Sequence, residues 1–198
     1  MIVAGCDIGS MTAKAVIMEN DRLLSSTVMR AKTKPADSAG QVMDRALAEA
    51  GISAADIAYT VGTGYGRNQV PFVDHTESEI SCHARGTWSL SPSIRTIIDI
   101  GGQDAKATRM DDNGRVARYI YNDKCASGTG RFLEVMAGAM EIGLEQMGAI
   151  AAQSTRKLKI SSQCVIFAET EVISLLNEGH ATPDIINALH HALANRIA

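Results

Sequence analysis

The chain has 198 residues and a mass of 21.0 kDa, which suffices for one large domain or two small ones with a substantial apolar core. Charged residues make up 21% of it and the formal net charge is −3, so we expect no basic surface that would attract nucleic acid or a membrane as a partner. No apolar run is long enough to span a bilayer, and no basic leader precedes the first acidic residue, Asp7, so the sequence predicts a cytoplasmic protein.

The N-terminal segment predicts an antiparallel meander. Runs typical of strands extend from Ile2 to Ile8, from Lys14 to Met18 and from Leu23 to Met29. Asn20 and Asp21 lie between the last two runs and are residue types that tight hairpin turns favour.

The next segment predicts a helix, a strand and a second helix. Apolar residues recur at helical spacing over residues 42 to 50, and Gly51 is suited to end that helix. Ile57 to Val61 predicts a buried strand, and residues 77 to 88 predict a helix. The Ser-Leu-Ser-Pro-Ser cluster at residues 89 to 93 is the predicted domain boundary.

The second half begins with the same pattern. Strands are predicted from Thr96 to Ile100, from Ala105 to Met110 and from Val116 to Tyr121, with turn residues at 111 to 114. Helices are predicted at residues 129 to 140, 143 to 153, 168 to 178 and 182 to 197, with Gly179 after the third.

In each half an apolar strand runs into an aspartate and a glycine and then turns back, at residues 6 to 10 and 98 to 104. Such an internal repeat predicts two related lobes with a cleft between them. We assign residues 1 to 92 to the first lobe and residues 93 to 198 to the second.

The first repeat, Asp-x-Gly-Ser-x-Thr-x-Lys, has the chemistry of a phosphate-binding loop. Small residues let backbone N–H groups and the hydroxyls of Ser10 and Thr12 approach phosphate oxygens, and Lys14 adds a point charge. Asp7 ends a strand, where its carboxylate can hold a hydrated Mg²⁺ ion. The candidate nucleotide-binding residues of this loop are Asp7, Gly9, Ser10, Met11, Thr12, Ala13 and Lys14.

The second repeat, Asp-Ile-Gly-Gly-Gln-Asp, is the candidate opposing loop. Its candidate nucleotide-binding residues are Asp99, Gly101, Gly102 and Gln103. Asp104 or Gln103 is predicted to orient an attacking water, so both are candidate catalytic residues. The alternative for Asp104 is a solvated turn carboxylate, and the alternative for either loop is an ordinary structural turn.

Paired loops of this kind resemble the two phosphate loops of the acetate-kinase/actin/Hsp70 ATPase superfamily. The resemblance implies an α/β protein with the two-lobed, actin-like (ribonuclease H-like) ATPase fold. A Walker A loop and a Rossmann fingerprint are both absent from the sequence. The implied chemistry is in-line attack of water on the γ-phosphate of ATP, which yields ADP, with Mg²⁺ neutralising charge.

The four cysteines, Cys6, Cys82, Cys125 and Cys164, are spaced too widely for a disulfide framework or a compact zinc site. Cys125 and Cys164 each precede a predicted helix, where unpaired N–H groups stabilise an anionic ligand. The alternative for both is a small buried hydrophobe. That second interpretation is the one we adopt for Cys6 and Cys82.

Six segments together carry a more specific resemblance. They cover most of the chain in collinear order, at residues 5 to 14, 62 to 68, 79 to 84, 99 to 104, 124 to 132 and 167 to 173. This set is similar to the activator component of 2-hydroxyacyl-CoA dehydratases, a family that includes the ATPase subunits of benzoyl-CoA reductase.

The resemblance implies an electron carrier driven by ATP. Each subunit of a homodimer would give Cys125 and Cys164 to one 4Fe-4S cluster per dimer, and four thiolates are the usual complement of such a cluster. Ferredoxin or flavodoxin would supply the electron. ATP hydrolysis would drive a conformational change that sends it at low potential to a dehydratase or reductase component.

Three points stay open at this stage. Family members continue into a further strand and a Gly-Gly adenosine-binding loop, so we expect an incomplete second lobe and a Thr-Gly-Gly-like turn soon after residue 198. The acyl-CoA pathway and the roles of Tyr65, Arg67, Cys82 and His83 are undetermined. The alternatives are a small-molecule kinase without a cluster and a non-hydrolysing, nucleotide-binding assembly subunit.

Overall fold

The structure, a computed structural model, describes residues 1 to 122, 126 to 161 and 164 to 197. The chain forms two compact units, one comprising Met1–Ile97 with Thr108–Tyr119 and the other Ile98–Ala107 with Ile120–Ala198. The predicted lobe boundary after residue 92 stays a prediction. None of the helices in the described ranges combines the length and the apolar character that crossing a membrane requires.

The first sheet has the strand order β3-β2-β1-β4-β5 over the described residues. Strands β1 to β3 are antiparallel, as the meander predicted, and β4 lies parallel to β1. Asn20 and Asp21 have φ angles of 47° and 68°, so the turn between β2 and β3 needs the residue types that tolerate this conformation. The strands are β1 (Ile2–Ile8), β2 (Thr12–Glu19), β3 (Arg22–Arg30), β4 (Tyr59–Thr63) and β5 (His75–Thr76).

Helix α1 (Pro35–Ala50) covers one face of this sheet. Pro35 starts the helix because its fixed φ suits the first turn, and Gly51 ends it with φ 69°. Alternate residues of β1 and β2 point toward α1, so they are buried while their neighbours are not. The core of this unit includes Ala4, Cys6, Ile8, Ala13, Ala15, Ile17, Val42, Met43 and Ala46.

Strand β4 and the second helix of the first unit both begin later than predicted, because local hydrogen bonds set their starts. The Asp56 carboxylate accepts bonds from the backbone N–H and the hydroxyl of Ser53, at 2.8 and 2.7 Å, which forms a short 3₁₀ turn and delays β4 to Tyr59. The Ser78 hydroxyl accepts from Ser81 N at 3.1 Å and caps α2 (Glu79–Leu90), which therefore begins at Glu79.

The second sheet has the order β6-β7-β8 over the described residues, with β6 (Thr96–Ile100), β7 (Ala105–Met110) and β8 (Val116–Asn122). The predicted starts of all three strands are confirmed. In the turn before β8, the Asp111 carboxylate accepts bonds from Asn113 N and Arg115 N, both at 2.9 Å. These bonds, the one from Arg115 above all, lower the pKa of Asp111.

Four helices form the core of the second unit in its described part: α3 (Gly130–Ala139), α4 (Met147–Ala151), α5 (Val165–Asn177) and α6 (Thr182–Ile197). The predicted third helix starts earlier than expected, at Val165, and the predicted second one contains a 3₁₀ turn before a short α4. Their packed apolar side chains include Phe132, Met136, Val172, Ile185, Ile186 and Leu189.

A buried carboxylate fastens the loop after α4 to the first turn of α6. Asp184 Oδ1 accepts bonds from Thr155 N at 2.8 Å, Arg156 N at 2.9 Å and Ser154 Oγ at 2.9 Å. The bond from Arg156 N is the largest cause of the lowered pKa of Asp184. A lowered folded-state pKa stabilises the fold above the ordinary value of 3.8, and this stabilisation is lost as pH falls through the folded value.

We therefore predict that Asp184→Asn lowers the thermal unfolding midpoint at pH 7, because an amide replaces an anion that accepts three donors. The difference from the parent chain should shrink as pH falls below 3.8, where the unfolded carboxyl takes up a proton, and vanish below the lower folded-state pKa. Scanning calorimetry at several pH values measures both effects. Asp44→Asn, at an exposed site on α1, is the matched control and should leave the midpoint unchanged at every pH.

Candidate functional site

The turn between β1 and β2 brings the residues of the first repeat into one hairpin. Gly9 N donates to Thr12 O at 3.0 Å and closes the turn. Asp7 lies directly across the ladder from Lys14, and Lys14 Nζ is 2.9 Å from Asp7 Oδ2. Both side chains remain partly exposed, at 37% for Lys14 and 22% for Asp7. The pair is therefore accessible to a charged ligand.

The remaining candidate residues of this loop differ in exposure. Ser10 is exposed and Thr12 is partly exposed, so their hydroxyls are open to a ligand. The Ala13 side chain is fully buried in the core under α1. A contribution of Ala13 to phosphate binding is thus confined to its backbone.

The Gly-Tyr-Gly-Arg loop, whose role the sequence left open, packs against the end of β1. Gly66 N donates to Ile8 O at 2.9 Å. Gly64 has φ 84°, and a Cβ at that position would lie 2.3 Å from Asp7 Oδ1. Arg67 Nη1 donates to Gly64 O at 3.0 Å and is 3.6 Å from Glu79 Oε2 on α2. The loop therefore supports the position of Asp7.

Cys82 and His83 line a cavity of about 370 Å³ beside Asp7, Lys14 and Thr63. Burial raises the pKa of Cys82, and the nearby Thr63 hydroxyl opposes that effect. Cys6 is buried, as predicted, and burial together with the Asp7 charge raises its pKa to about 12. Both shifts therefore disfavour the thiolate, which is the form in which cysteine binds a metal.

The second loop repeats the geometry of the first. Gly101 N donates to Asp104 O at 2.8 Å, which corresponds to the bond from Gly9 N to Thr12 O. Asp104 was expected to be either catalytic or a solvated turn carboxylate, and the second alternative is wrong, since the residue is 4% exposed. Its Oδ2 lies 2.5 Å from Lys106 Nζ, a residue that motif analysis did not select.

The second loop is also bonded to the start of α3. Gly101 O accepts from Gly130 N at 2.9 Å, and Gly102 O accepts from Arg131 N at 3.1 Å. The buried Thr129 hydroxyl contacts Gly102 O at 3.1 Å and Ala126 O at 2.6 Å. Carbonyls of the loop thus satisfy helix N–H groups that would otherwise lack partners. Gln103 is exposed at the tip of this loop.

Of the two candidate cluster cysteines, Cys164 is within the described residues and Cys125 lies outside them. Cys164 is the N-cap residue of α5, is exposed, and makes no side-chain capping bond. Within the described ranges, no group of three or more His, Cys, Asp or Glu residues could hold a metal ion. An exposed thiol at a helix start fits one ligand of a shared cluster and does not form a site alone.

Helix α5, which follows Cys164, carries several exposed apolar side chains. Ile166, Phe167 and Ile173 on α5 are 64%, 66% and 45% exposed. Ser161 N and Oγ each donate to Glu171 Oε1 at 2.9 Å, which ties the segment before Cys164 to the middle of α5.

Comparison with known proteins gives concordant matches over nearly the whole chain. The family model described as "BadF/BadG/BcrA/BcrD ATPase family" matches residues 4 to 198. The chain is 46% identical over 199 residues to an activator of lactoyl-CoA dehydratase from Anaerotignum propionicum, covering 99% of this chain and 76% of that protein. It is 39% identical over 194 residues to the (R)-2-hydroxyglutaryl-CoA dehydratase activating ATPase of Acidaminococcus fermentans, covering 98% and 74%.

A solved structure of a related activator also matches the whole chain. The activator of the 2-hydroxyisocaproyl-CoA dehydratase from Clostridium difficile, solved with bound ADPNP, superposes with a TM-score of 0.95 at 42% identity. The match covers 100% of this chain and 74% of that chain.

The contact between Gly101 and Asp104 yields a prediction. A Cβ at position 101 would lie 2.1 Å from Asp104 Oδ1, so Gly101→Ala must displace that carboxylate from Lys106. Asp104 is predicted from its motif to be catalytic, and a displacement of about 1 Å in a catalytic group costs about a hundredfold in rate, so we expect ATP turnover to fall by about that factor.

The control is Gly86→Ala in α2, where an added Cβ meets no atom within 4 Å. That change should leave turnover intact and stabilise the helix by about 0.5–1 kcal/mol. Steady-state turnover and thermal unfolding of both variants provide the measurements. Equal turnover in Gly101→Ala and the parent chain would show that the Asp104 position is unimportant.

Proposed function

Since this chain belongs to the BadF/BadG/BcrA/BcrD ATPase family, we propose that it is an ATP-hydrolysing activator that delivers a low-potential electron to a 2-hydroxyacyl-CoA dehydratase or a benzoyl-CoA reductase-type partner. The family resemblance and the α/β, actin-like fold class expected from the motifs are confirmed. The electron donor we propose is ferredoxin or flavodoxin.

The observation that best supports ATP hydrolysis is the hairpin loop that occurs once in each half of the chain. Each loop has an aspartate at the end of a strand, a closing bond from a glycine N–H, and a lysine paired with a loop carboxylate. A relative with 39% identity is named an activating ATPase, and a similar structure holds ADPNP. Nucleotide binding at these loops is consistent with both.

In this proposal the first loop binds phosphate. Backbone N–H groups, the hydroxyls of Ser10 and Thr12 and the ammonium of Lys14 contact phosphate oxygens. Asp7 would hold a hydrated Mg²⁺ ion, which would neutralise charge on the phosphates, and its partly exposed carboxylate suits that contact. The Lys14 side chain is 37% exposed, so its ammonium can leave the Asp7 carboxylate and bind a phosphate instead.

The second loop supplies the catalytic groups. We assign the orientation of the attacking water to Asp104 or Gln103. Both residues follow Gly101 and Gly102 in the turn that the bond from Gly101 N to Asp104 O closes. Catalysis then depends on positioning and on charge stabilisation, with little covalent chemistry for the protein to perform.

A described route leads from this loop toward the cysteine segment. Gly101 O and Gly102 O cap α3, and Thr129 links Gly102 O to Ala126 O, one residue after Cys125. A change in the loop on nucleotide binding would therefore move the start of α3 and the chain that precedes it. This is the coupling between hydrolysis and electron transfer that we propose.

Cys125 and Cys164 of two chains would hold one 4Fe-4S cluster in a homodimer. When bound, such a cluster would supply a one-electron carrier. The exposed thiol of Cys164 and the apolar residues beside it on α5 suit a position at a two-fold axis, where the second chain would cover both.

The decisive test is iron content. Protein prepared without oxygen should contain one 4Fe-4S cluster per dimer by iron analysis and electron paramagnetic resonance, because two chains supply four thiolates. Cys125→Ala or Cys164→Ala should abolish the signal. Cys82→Ala is the control and should retain the iron, since the proposal assigns the cluster to Cys125 and Cys164 alone. An iron-free dimer that hydrolyses ATP would favour a small-molecule kinase.

Asp104→Asn tests hydrolysis. The amide keeps the size of the side chain and removes its charge, so we expect turnover to fall by about a hundredfold or more while the chain remains folded. Phosphate release and circular dichroism measure the two quantities. Unchanged phosphate release in this variant contradicts the catalytic assignment, and a parent chain that binds ATP without hydrolysing it indicates an assembly subunit.

A further inference from the structure

Lys106 is a charged residue at the second loop that the motif analysis did not select. The segments Asp7 to Lys14 and Asp99 to Lys106 both read Asp-Ile-Gly-x-x-x-Ala-Lys. Each lysine therefore follows, at the same distance along the chain, the aspartate that precedes the turn. The two lysines are equivalent by sequence and stand on the second strand of their respective hairpins.

The surroundings of the two lysines differ. Lys14 is 37% exposed and pairs with Asp7 at 2.9 Å. The Lys106 side chain is only 4% exposed, and its Nζ lies 2.5 Å from Asp104 Oδ2 and 3.6 Å from Asp99 Oδ2. The Tyr121 ring lies below the same ammonium, with its centroid 5.5 Å away. Equivalent positions therefore hold one accessible and one enclosed cation.

The buried Lys106 ammonium reduces the repulsion between the Asp99 and Asp104 carboxylates. Two carboxylates of one loop repel each other, and bulk water screens that repulsion only weakly because the Asp104 side chain is 6% exposed. The Lys106 ammonium between them offsets it, and its hydrogen bond fixes the orientation of the Asp104 carboxylate. Among the described residues, Tyr121 on β8 and the Arg196 guanidinium on α6 line a cavity of about 170 Å³ together with Lys106.

We propose that Lys106 is a positioning residue that holds Asp104 in its catalytic orientation, whereas Lys14 is a direct nucleotide contact. The distinction follows from burial, because a lysine enclosed between two carboxylates cannot leave them to reach a phosphate, and a partly exposed one can. This inference rests on the proposed ATPase function.

The test compares kcat with KM for ATP in the full chain. Lys106→Met removes the charge and keeps the length of the side chain, and we expect kcat to fall about ten- to a hundredfold while KM changes less than about twofold. Lys106→Arg keeps the charge and should recover more of kcat than Met does. Lys14→Met is the matched comparison and should raise KM severalfold.

A second pair of variants covers the case in which Lys106→Met does not fold. Asp99→Asn/Lys106→Met removes one of the two repelling carboxylates together with the lysine, and it is compared with Asp99→Asn alone. The positioning role predicts a kcat at least about tenfold lower in the double variant. A lysine with only a structural role predicts equal values.

Three results would overturn the inference. They are an unchanged kcat in a folded Lys106→Met chain, a rise in KM equal to that of Lys14→Met, and equal kcat in Asp99→Asn with and without Lys106→Met. A parent chain that shows no ATP turnover at all is distinguishable from these results, because it overturns the proposed function and the role of Lys106 with it.

Discussion

The ion pair of Lys106 with Asp104 is the interaction on which the second loop depends. A carboxylate that is almost fully buried needs a partner charge, and Lys106 supplies it from the next strand of the same hairpin. The backbone bond from Gly101 N to Asp104 O and the absence of a side chain at Gly101 leave room for this arrangement. The turn backbone, the glycine at position 101 and the Lys106 charge therefore together set the position of the Asp104 carboxylate.

The same loop also determines where the next helix begins. Its two glycine carbonyls accept the first free N–H groups of α3, so that helix start and loop conformation are fixed together. In the other unit the Gly-Tyr-Gly-Arg loop supports Asp7 in a comparable way, through Gly64 and Arg67. In each unit a neighbouring glycine-bearing segment therefore holds the loop in place through close backbone contacts.

Sequence patterns predicted most of the elements because their causes are local. Alternating burial along β1 and β2, the turn types at Asn20 and Asp21, and the left-handed Gly51 each act within a few residues. The errors lie at boundaries, where a side chain such as Ser78 or Asp56 bonds to the backbone and moves the start of an element. Helix α4 is likewise shorter than the sequence predicted, because a 3₁₀ turn precedes it.

The sequence by itself determined the repeated loops, the family and the two cysteines before helices, since motifs and spacing are properties of the chain alone. Only the tertiary structure decided that Asp104 is buried and that Lys106 neutralises its charge. It also decided that Arg67 of the Gly-Tyr-Gly-Arg loop pairs with Glu79 on α2. These features depend on strand register and on the packing of one element against another. Burial turns an ordinary lysine into a fixed counter-charge, and no pattern of residue types encodes burial directly.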